Sequence, residues 1–217
     1  SPPGHPINIL MGEHKLLLDF SAELKNTSTR LSQKADYQSA DEEIAQINKL
    51  VQTLKDSESH YLREENVLFP YLEKHGITQP PAIMWSEHNK IREVKKNIYT
   101  LADTRTSKPF NDFSTQLGDA AISLAEMLSS HFFKENNILF PTALEVIATQ
   151  EWGEIRKEFD DLGYCSFTPE PPLMTAEAKA VPVEAPLHAF SYDTGSLSKD
   201  EIEQILNGLP IDITFVD

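Results

Sequence analysis

The sequence predicts an all-α protein: an up-down four-helix bundle built from two repeated helical hairpins, followed by an extended C-terminal tail. Three observations carry this. An eleven-residue phrase occurs twice, as His60-Tyr61-Leu62-Arg63-Glu64-Glu65-Asn66-Val67-Leu68-Phe69-Pro70 and His131-Phe132-Phe133-Lys134-Glu135-Asn136-Asn137-Ile138-Leu139-Phe140-Pro141, 71 residues apart, and both copies read H-x-x-x-E-x-N-x-L-F-P. A second pair of stretches, Ile9–Lys15 and Ile83–Asn89, lies 74 residues apart and sets Pro6 and His14 against Pro80 and His88. The apolar residues around all four histidines recur at helical spacing.

Pro6 suits the first turn of a helix, which is expected from about Ile7 to Lys25. With His14 as the origin of the wheel, Ile7, Leu10, Met11, Leu17 and Leu18 fall within roughly 60° of it, so His14 points inward. His5 lies about half a turn away and is a poor ligand candidate. Residues 26–40 are rich in Ser, Thr, Asn and Asp and read as a loop. A second helix opens near Asp41 as N-cap. Its stripe is Ile44, Ile47, Leu50, Val51, Leu54, Tyr61 and Leu68; Pro70 should kink or end it, and Gly76 closes it. Pro80-Pro81 starts a third helix to about Leu101, with Met84, Trp85 and Ile91 on the face of His88 and Arg92 one turn on. The fourth runs from about Phe110 to Val146, where Leu117, Ala120, Leu124, Met127, Leu128, Ile138 and Leu139 flank His131 and Glu135. A shorter helix, Gln150 to Leu162, stops at Gly163.

These elements bound a bundle over residues 1–163. Residues 164–196, with Pro169, Pro171, Pro172, Pro182 and Pro186, read as an extended connector. Residues 197–217 read as a short helix from Leu197 to Asn207, capped by Ser198, and a strand over Ile211–Val216. A chain opening on Ser1-Pro2-Pro3-Gly4 reads as cut from a longer protein, and its lone closing strand as the first strand of a truncated domain. The unpaired edge of that strand would also permit a homodimer.

Composition narrows the function classes. The chain has 217 residues and a net charge of -15, from 19 basic and 34 acidic side chains, which argues against nucleic acid or an anionic membrane surface as partner. No apolar run approaches the ~18 residues of a membrane span, and the N-terminus lacks the basic start and apolar stretch of a signal peptide. Cys165 is the only cysteine. An intrachain disulfide is therefore impossible, a reducing cytoplasm is expected, and any metal site must use His and carboxylates. There is no phosphate-binding G-x-x-x-x-G-K-[ST] loop and no G-x-G-x-x-G.

On a helix four residues turn through roughly 400°, so the His and Glu of H-x-x-x-E sit about 40° apart on one face and can reach the same ion or adjacent ions. Six candidate ligands result: His14, His60, Glu64, His88, His131 and Glu135. A glutamate centred on an apolar stripe costs several kcal/mol unless a cation meets it. Four imidazoles and two carboxylates suit two first-row metal ions, each Glu bridging both while two His bind each one. Iron fits this mixture best, and zinc and manganese accept the same donors. Glu13 neighbours the site, Glu65 reads as solvent-facing, and Arg92 as a partner of a ligand carboxylate. Asn66 and Asn137 read as hydrogen-bonding groups beside the prolines. Tyr61, Phe69, Phe132, Phe133 and Phe140 read as core, and Cys165 as a small buried residue. No residue is assigned a catalytic role.

The pattern H…H-x-x-x-E…H…H-x-x-x-E, over roughly residues 5–150, resembles the hemerythrin-like domains called HHE cation-binding domains. The resemblance implies two non-haem iron ions, Fe–O–Fe or carboxylate-bridged, on the six residues named. Two departures matter. Oxygen carriers of the family have a second His one turn after the third-helix His, where this chain has Arg92. They also use a more distant Asp where Glu135 stands here. The site is thus more similar to the His4Glu2 form of iron- and oxygen-sensing domains than to an oxygen store. The chain also resembles an uncharacterised prokaryotic, often archaeal, family that joins such a domain to a PAS domain, on Gly4-His5-Pro6, Gly163-Tyr164-Cys165 and the closing Leu209–Asp217. The expectation is a sensor of O2, NO, redox state or iron that signals to an attached PAS domain. The alternatives are an enzyme-like di-iron role in NO or peroxide handling or iron-centre repair, and a structural bundle without metal.

Overall fold

The computed structural model describes residues 4–169 and the backbone of two short strands, Phe190–Tyr192 and Gly195–Leu197. The chain divides into two compact units, Ser1–Met174 and Thr175–Asp217. In the described part of the first, every regular element is a helix.

Helix α1 spans Pro6–Leu31. His5 is its N-cap, the ring Nδ1 accepting the Ile7 N–H at 3.2 Å, while Pro6 stands where a missing N–H costs nothing. The helix runs on through residues 26–31, which were expected as loop. Burial decides this: Thr27, Ser28 and Leu31 face inward, and Thr29 returns its hydroxyl to the Lys25 carbonyl, so polar side chains are accommodated inside the helix. Helix α2 spans Asp41–Asp56 with Ala40, not Asp41, as N-cap. Asp41 instead joins Glu42 and Glu43 in the first turn, where acids complement the helix dipole.

After Ser57 comes α3 (Glu58–Arg63), then a π turn over Glu64–Leu68 and α4 (Phe69–Lys74). The second copy of the phrase repeats this: α6 (Phe110–Lys134), a π turn over Glu135–Leu139, and α7 (Phe140–Val146). Proline has no N–H for the carbonyl four residues back, and its ring crowds that carbonyl. The wider turn relieves the clash. The N–H groups of Phe69 and Phe140 reach back to the carbonyls of Glu64 and Glu135. The expected break at Pro70 is therefore a bulge through which the helix continues, and each bulge starts at a candidate ligand.

Helix α5 spans Gln79–Thr104 with Pro80 and Pro81 in its first turn. Helix α8 spans Thr149–Leu162 and ends at Gly163, whose φ of 83° suits glycine alone. Helix α1 packs on α2 and α6, and α5 packs on the same two, so the four long helices close a ring. Helix α8 lies against α1 and α3.

Two apolar clusters occupy the interior, one containing Leu17, Ile91, Leu128 and Phe132 and the other Leu10, Met84, Leu139 and Phe140. His14 falls between Leu10 and Leu17 on α1, and His88 between Met84 and Ile91 on α5. The histidines thus form a polar layer between two apolar ones. Some stripe residues turn outward. Met11 and Trp85, equivalent in the repeat, are 43% and 50% exposed, and Ile138 and Phe133, expected in the core, are 55% and 64% exposed.

In the second unit, strands β1 (Phe190–Tyr192) and β2 (Gly195–Leu197) pair antiparallel, Phe190 opposite Leu197. The end of the expected connector thus carries two paired strands, and Leu197 closes a strand where it was expected to open a helix. The remainder of that helix and the strand over Ile211–Val216 lie outside the described residues. Among the described residues no helix is long and apolar enough to cross a membrane.

Candidate metal centre

All six predicted residues converge inside the bundle, each 0–1% exposed. They form two overlapping quartets: His14, His60, Glu64 and Glu135, and His88, His131, Glu64 and Glu135. Within each quartet the donor atoms lie within 4.8 Å of one another. The two carboxylates are common to both, and each hairpin contributes its own pair of imidazoles. His14 Nε2 is 3.2 Å from Glu135 and 4.0 Å from Glu64. His60 Nε2 is 3.5 Å from Glu64, and His131 Nε2 is 3.1 Å from Glu135. His88 Nε2 lies 3.4 Å from Glu64 and 3.6 Å from Glu135.

The four Nδ1 atoms all point outward to partners that the sequence reading did not assign. His60 Nδ1 donates to Glu13 at 2.7 Å and His131 Nδ1 to Glu87 at 2.9 Å. His88 Nδ1 donates to Glu65 at 2.8 Å, and His14 Nδ1 to Asn136 Oδ1 at 2.9 Å. Carboxylate and amide oxygens only accept, so each Nδ1 carries a proton and each Nε2 faces inward. The repeat held the signal: Glu13 and Glu87 both precede an inward His, and Glu65 and Asn136 both follow a candidate ligand Glu. Glu65 was expected in solvent. It is 8% exposed, because His88 and Arg92 hold it in. Arg92 pairs with Glu65 and Glu58, not with Glu64 or Glu135. Asn137 bonds the Phe133 carbonyl, the backbone role expected of it. Cys165 is free and buried.

The two sides of the site are not equally covered. Arg63 holds Glu13 from a wholly buried position under the rings of Phe159 and Tyr164. Its repeat counterpart Lys134 holds Glu87 but is 32% exposed. A cavity of about 310 Å³, lined by Glu87, Ile91, Met127, His131 and Lys134 among others, opens on this second side. Aromatic rings dry the interior: Phe132 and Phe140 stack on His14 at 4.0 and 5.4 Å, and Tyr61 and Phe69 lie 4.7 and 5.8 Å from His88.

Electrostatics show what the pocket lacks. Among the described residues, His14 Nε2, His60 Nε2 and both oxygens of Glu64 and Glu135 are buried without a hydrogen-bond partner. His88 and His131 bring their Nε2 atoms to 3.0 Å. Burial pulls the His88 imidazolium down, but Glu135, Glu64 and Glu65 outweigh it and hold the group up at about 11. Burial raises the Glu13 carboxyl, yet the His60 bond and the Arg63 charge bring it down to about 2. The interior calls for positive charge between its six donors, and the residues present fit a pair of cations.

Comparison with known proteins agrees with the geometry. Residues 5–143 match the family described as the hemerythrin HHE cation binding domain. The chain is also similar to the iron-sulfur cluster repair protein YtfE of Salmonella typhimurium, 32% identical over 99 residues, which cover 40% of this chain and 41% of that protein.

Proposed function

Because this chain belongs to the hemerythrin HHE cation binding family, we propose that its bundle holds two non-haem iron ions, one beside His14 and His60 and one beside His88 and His131, with Glu64 and Glu135 shared. The observation carrying this reading is the set of six unpartnered inward atoms. Two uncompensated buried carboxylates cost several kcal/mol, which a cation removes. An up-down course of the four long helices accompanies this reading, since it brings the two hairpins together as equivalent halves.

Such a centre, when bound, supplies redox chemistry and a position for a small diatomic such as NO or O2. The chain does the rest. Glu13, Glu87, Glu65 and Asn136 hold each imidazole in the tautomer that presents Nε2 inward. Phe132, Phe140, Tyr61 and Phe69 exclude water, and the opening beside Glu87 and Lys134 gives a small ligand an approach.

For the biological role we favour iron-centre repair with NO handling, on the likeness to YtfE. A second reading, a sensor signalling to an attached PAS domain, is favoured by one contact. Thr168, on the segment leading out of the bundle, donates to Glu13 at 2.5 Å, and Glu13 holds His60. The free, buried Cys165 is in keeping with a reducing cytoplasm.

Elemental analysis should find two irons per chain, and a His60→Ala, His131→Ala double variant should lose them; unchanged metal content in that variant refutes the assignment. Reactivation of an NO-damaged iron–sulfur protein by the loaded chain supports repair. An optical response to NO or O2 that changes proteolysis beyond residue 164, without reactivation, supports the sensor instead.

A further inference from the structure

Four cations gather around one cleft in a chain whose net charge is -15. Lys55, from the last turn of α2, faces Arg92, Lys95 and Lys96 of α5 across a cavity of about 340 Å³, which Glu58 and Tyr99 complete. Lys95 is only 3% exposed. Its ammonium donates to Ser57 Oγ at 2.8 Å and has one carboxylate nearby, Glu58, at 3.9 Å. That carboxylate is already engaged by Arg92 Nε at 2.7 Å. Among the described residues, Lys55 and Lys96 form no ion pair with a carboxylate. Tyr99 Oη is buried with no hydrogen-bond partner.

A cation at the end of α2 complements that helix's dipole, which accounts for Lys55. It does not account for Lys95 and Lys96, while Arg92 answers to Glu58 and Glu65. A buried lysine among like charges is unfavourable in isolation, and burial draws the Lys95 ammonium down to about 8. Lys95 and Arg92 are instead held from below by the Tyr61 ring, 4.9 and 5.6 Å away, and Lys55 by the Tyr99 ring at 5.2 Å. The rings fix Lys55 and Lys95 without neutralising them, whereas Arg92 is paired with Glu58 and Glu65. The lining is therefore rich in N–H and O–H donors, and its one carboxylate is spent.

We propose that this cleft binds a small oxyanion of the phosphate class, free or as a monoester group. Lys95 forms the floor, Lys55 and Lys96 the rim, and Tyr99 Oη gives a neutral donor. A tetrahedral anion carrying more than one charge suits three or more diverging donors better than chloride or a single carboxylate does. The other edge of Arg92 holds Glu65, which holds His88, so two side chains, Arg92 and Glu65, would link an occupant to His88 of the centre described above. The proposal does not depend on what that centre holds.

Calorimetric titration of the purified protein with inorganic phosphate, and separately with phenyl phosphate, tests it. Saturable one-to-one binding is expected, weakened about tenfold by Lys95→Met, the loss of one charge-assisted contact. Lys96→Gln, on the exposed rim, should weaken it several-fold and cannot act through the core. Tighter binding of phenyl phosphate identifies an esterified ligand, and equal binding the free ion. No saturable heat, an equal response to sodium chloride at matched ionic strength, or unchanged affinity in both variants overturns the proposal. None of these readouts involves the metal content on which the iron reading stands or falls.

Discussion

Glu13 precedes the candidate ligand His14 in sequence, yet its carboxylate serves a different histidine: Oε2 sits 2.7 Å from His60 Nδ1. Both are completely buried, and Arg63 holds the same carboxylate at 2.6 Å. Helix α1 thereby contributes one imidazole and fixes a second that belongs to α3. Outer partners of this kind usually govern metal affinity by about 10–100-fold. Glu13→Gln should lower iron retention by about that factor while the helical far-UV spectrum stays unchanged, measured as iron remaining after timed exposure to a chelator.

The partners of the four imidazoles differ between the halves at one position. Glu65 gives His88 an anionic partner, and Asn136, at the equivalent place, gives His14 a neutral one. An anionic acceptor makes the imidazole a stronger donor. On the proposed two-ion reading, the ion beside His88 and His131 should therefore be held more tightly, and a chelator should remove the two ions in separate steps. Asn136→Asp should narrow the gap between those steps. Release of both ions together from the unaltered protein would count against unequal halves.

Access should be one-sided, because α8 and the Tyr164 ring cover the Arg63 side while the cavity beside Glu87, Met127 and His131 is open. Met127→Trp should fill that cavity. Stopped-flow mixing with NO should then show association slowed several-fold with iron content unchanged. An unaltered rate would place the route elsewhere.

His5 ties stability to pH independently of the metal. Burial against Trp152, whose ring lies 4.5 Å away, lowers the His5 pKa to about 4, and its Nδ1 must be unprotonated to cap Ile7. The unfolded chain takes up the proton near pH 6.5, so the folded state binds fewer protons between there and about pH 4. Stability from this group is present above pH 6.5 and is lost as pH falls through that window. His5→Asn retains a side-chain cap that does not titrate. The Tm difference between the two proteins should shift in favour of the variant by a few degrees from pH 7 to pH 5, and a constant difference would rule this role out.

Much of the site was legible in the chain because metal ligation leaves a periodic trace. A donor pair at i and i+4 on an apolar stripe has few uses, and its repetition in Glu64 and Glu135 marked two equivalent halves. Proline and glycine likewise announced the start of α5 and the ends of α4 and α8. Hydroxyl-rich residues 26–31 misled, since Thr27 and Ser28 are buried in a helix their composition disfavours.

The sequence by itself determined the helical repeat, the six inward donors and the exclusion of a disulfide between two cysteines of these 217 residues, because each follows from local spacing and residue type. Only the tertiary structure decided which carboxylate steadies which imidazole, which side is covered, and that Lys55 meets Lys95 across a cleft. Those facts depend on side chains 23 or more residues apart, such as Glu65 with His88, Glu13 with His60 and Lys55 with Lys95. No local period encodes such distances; the packing of one helix on another brings them within reach.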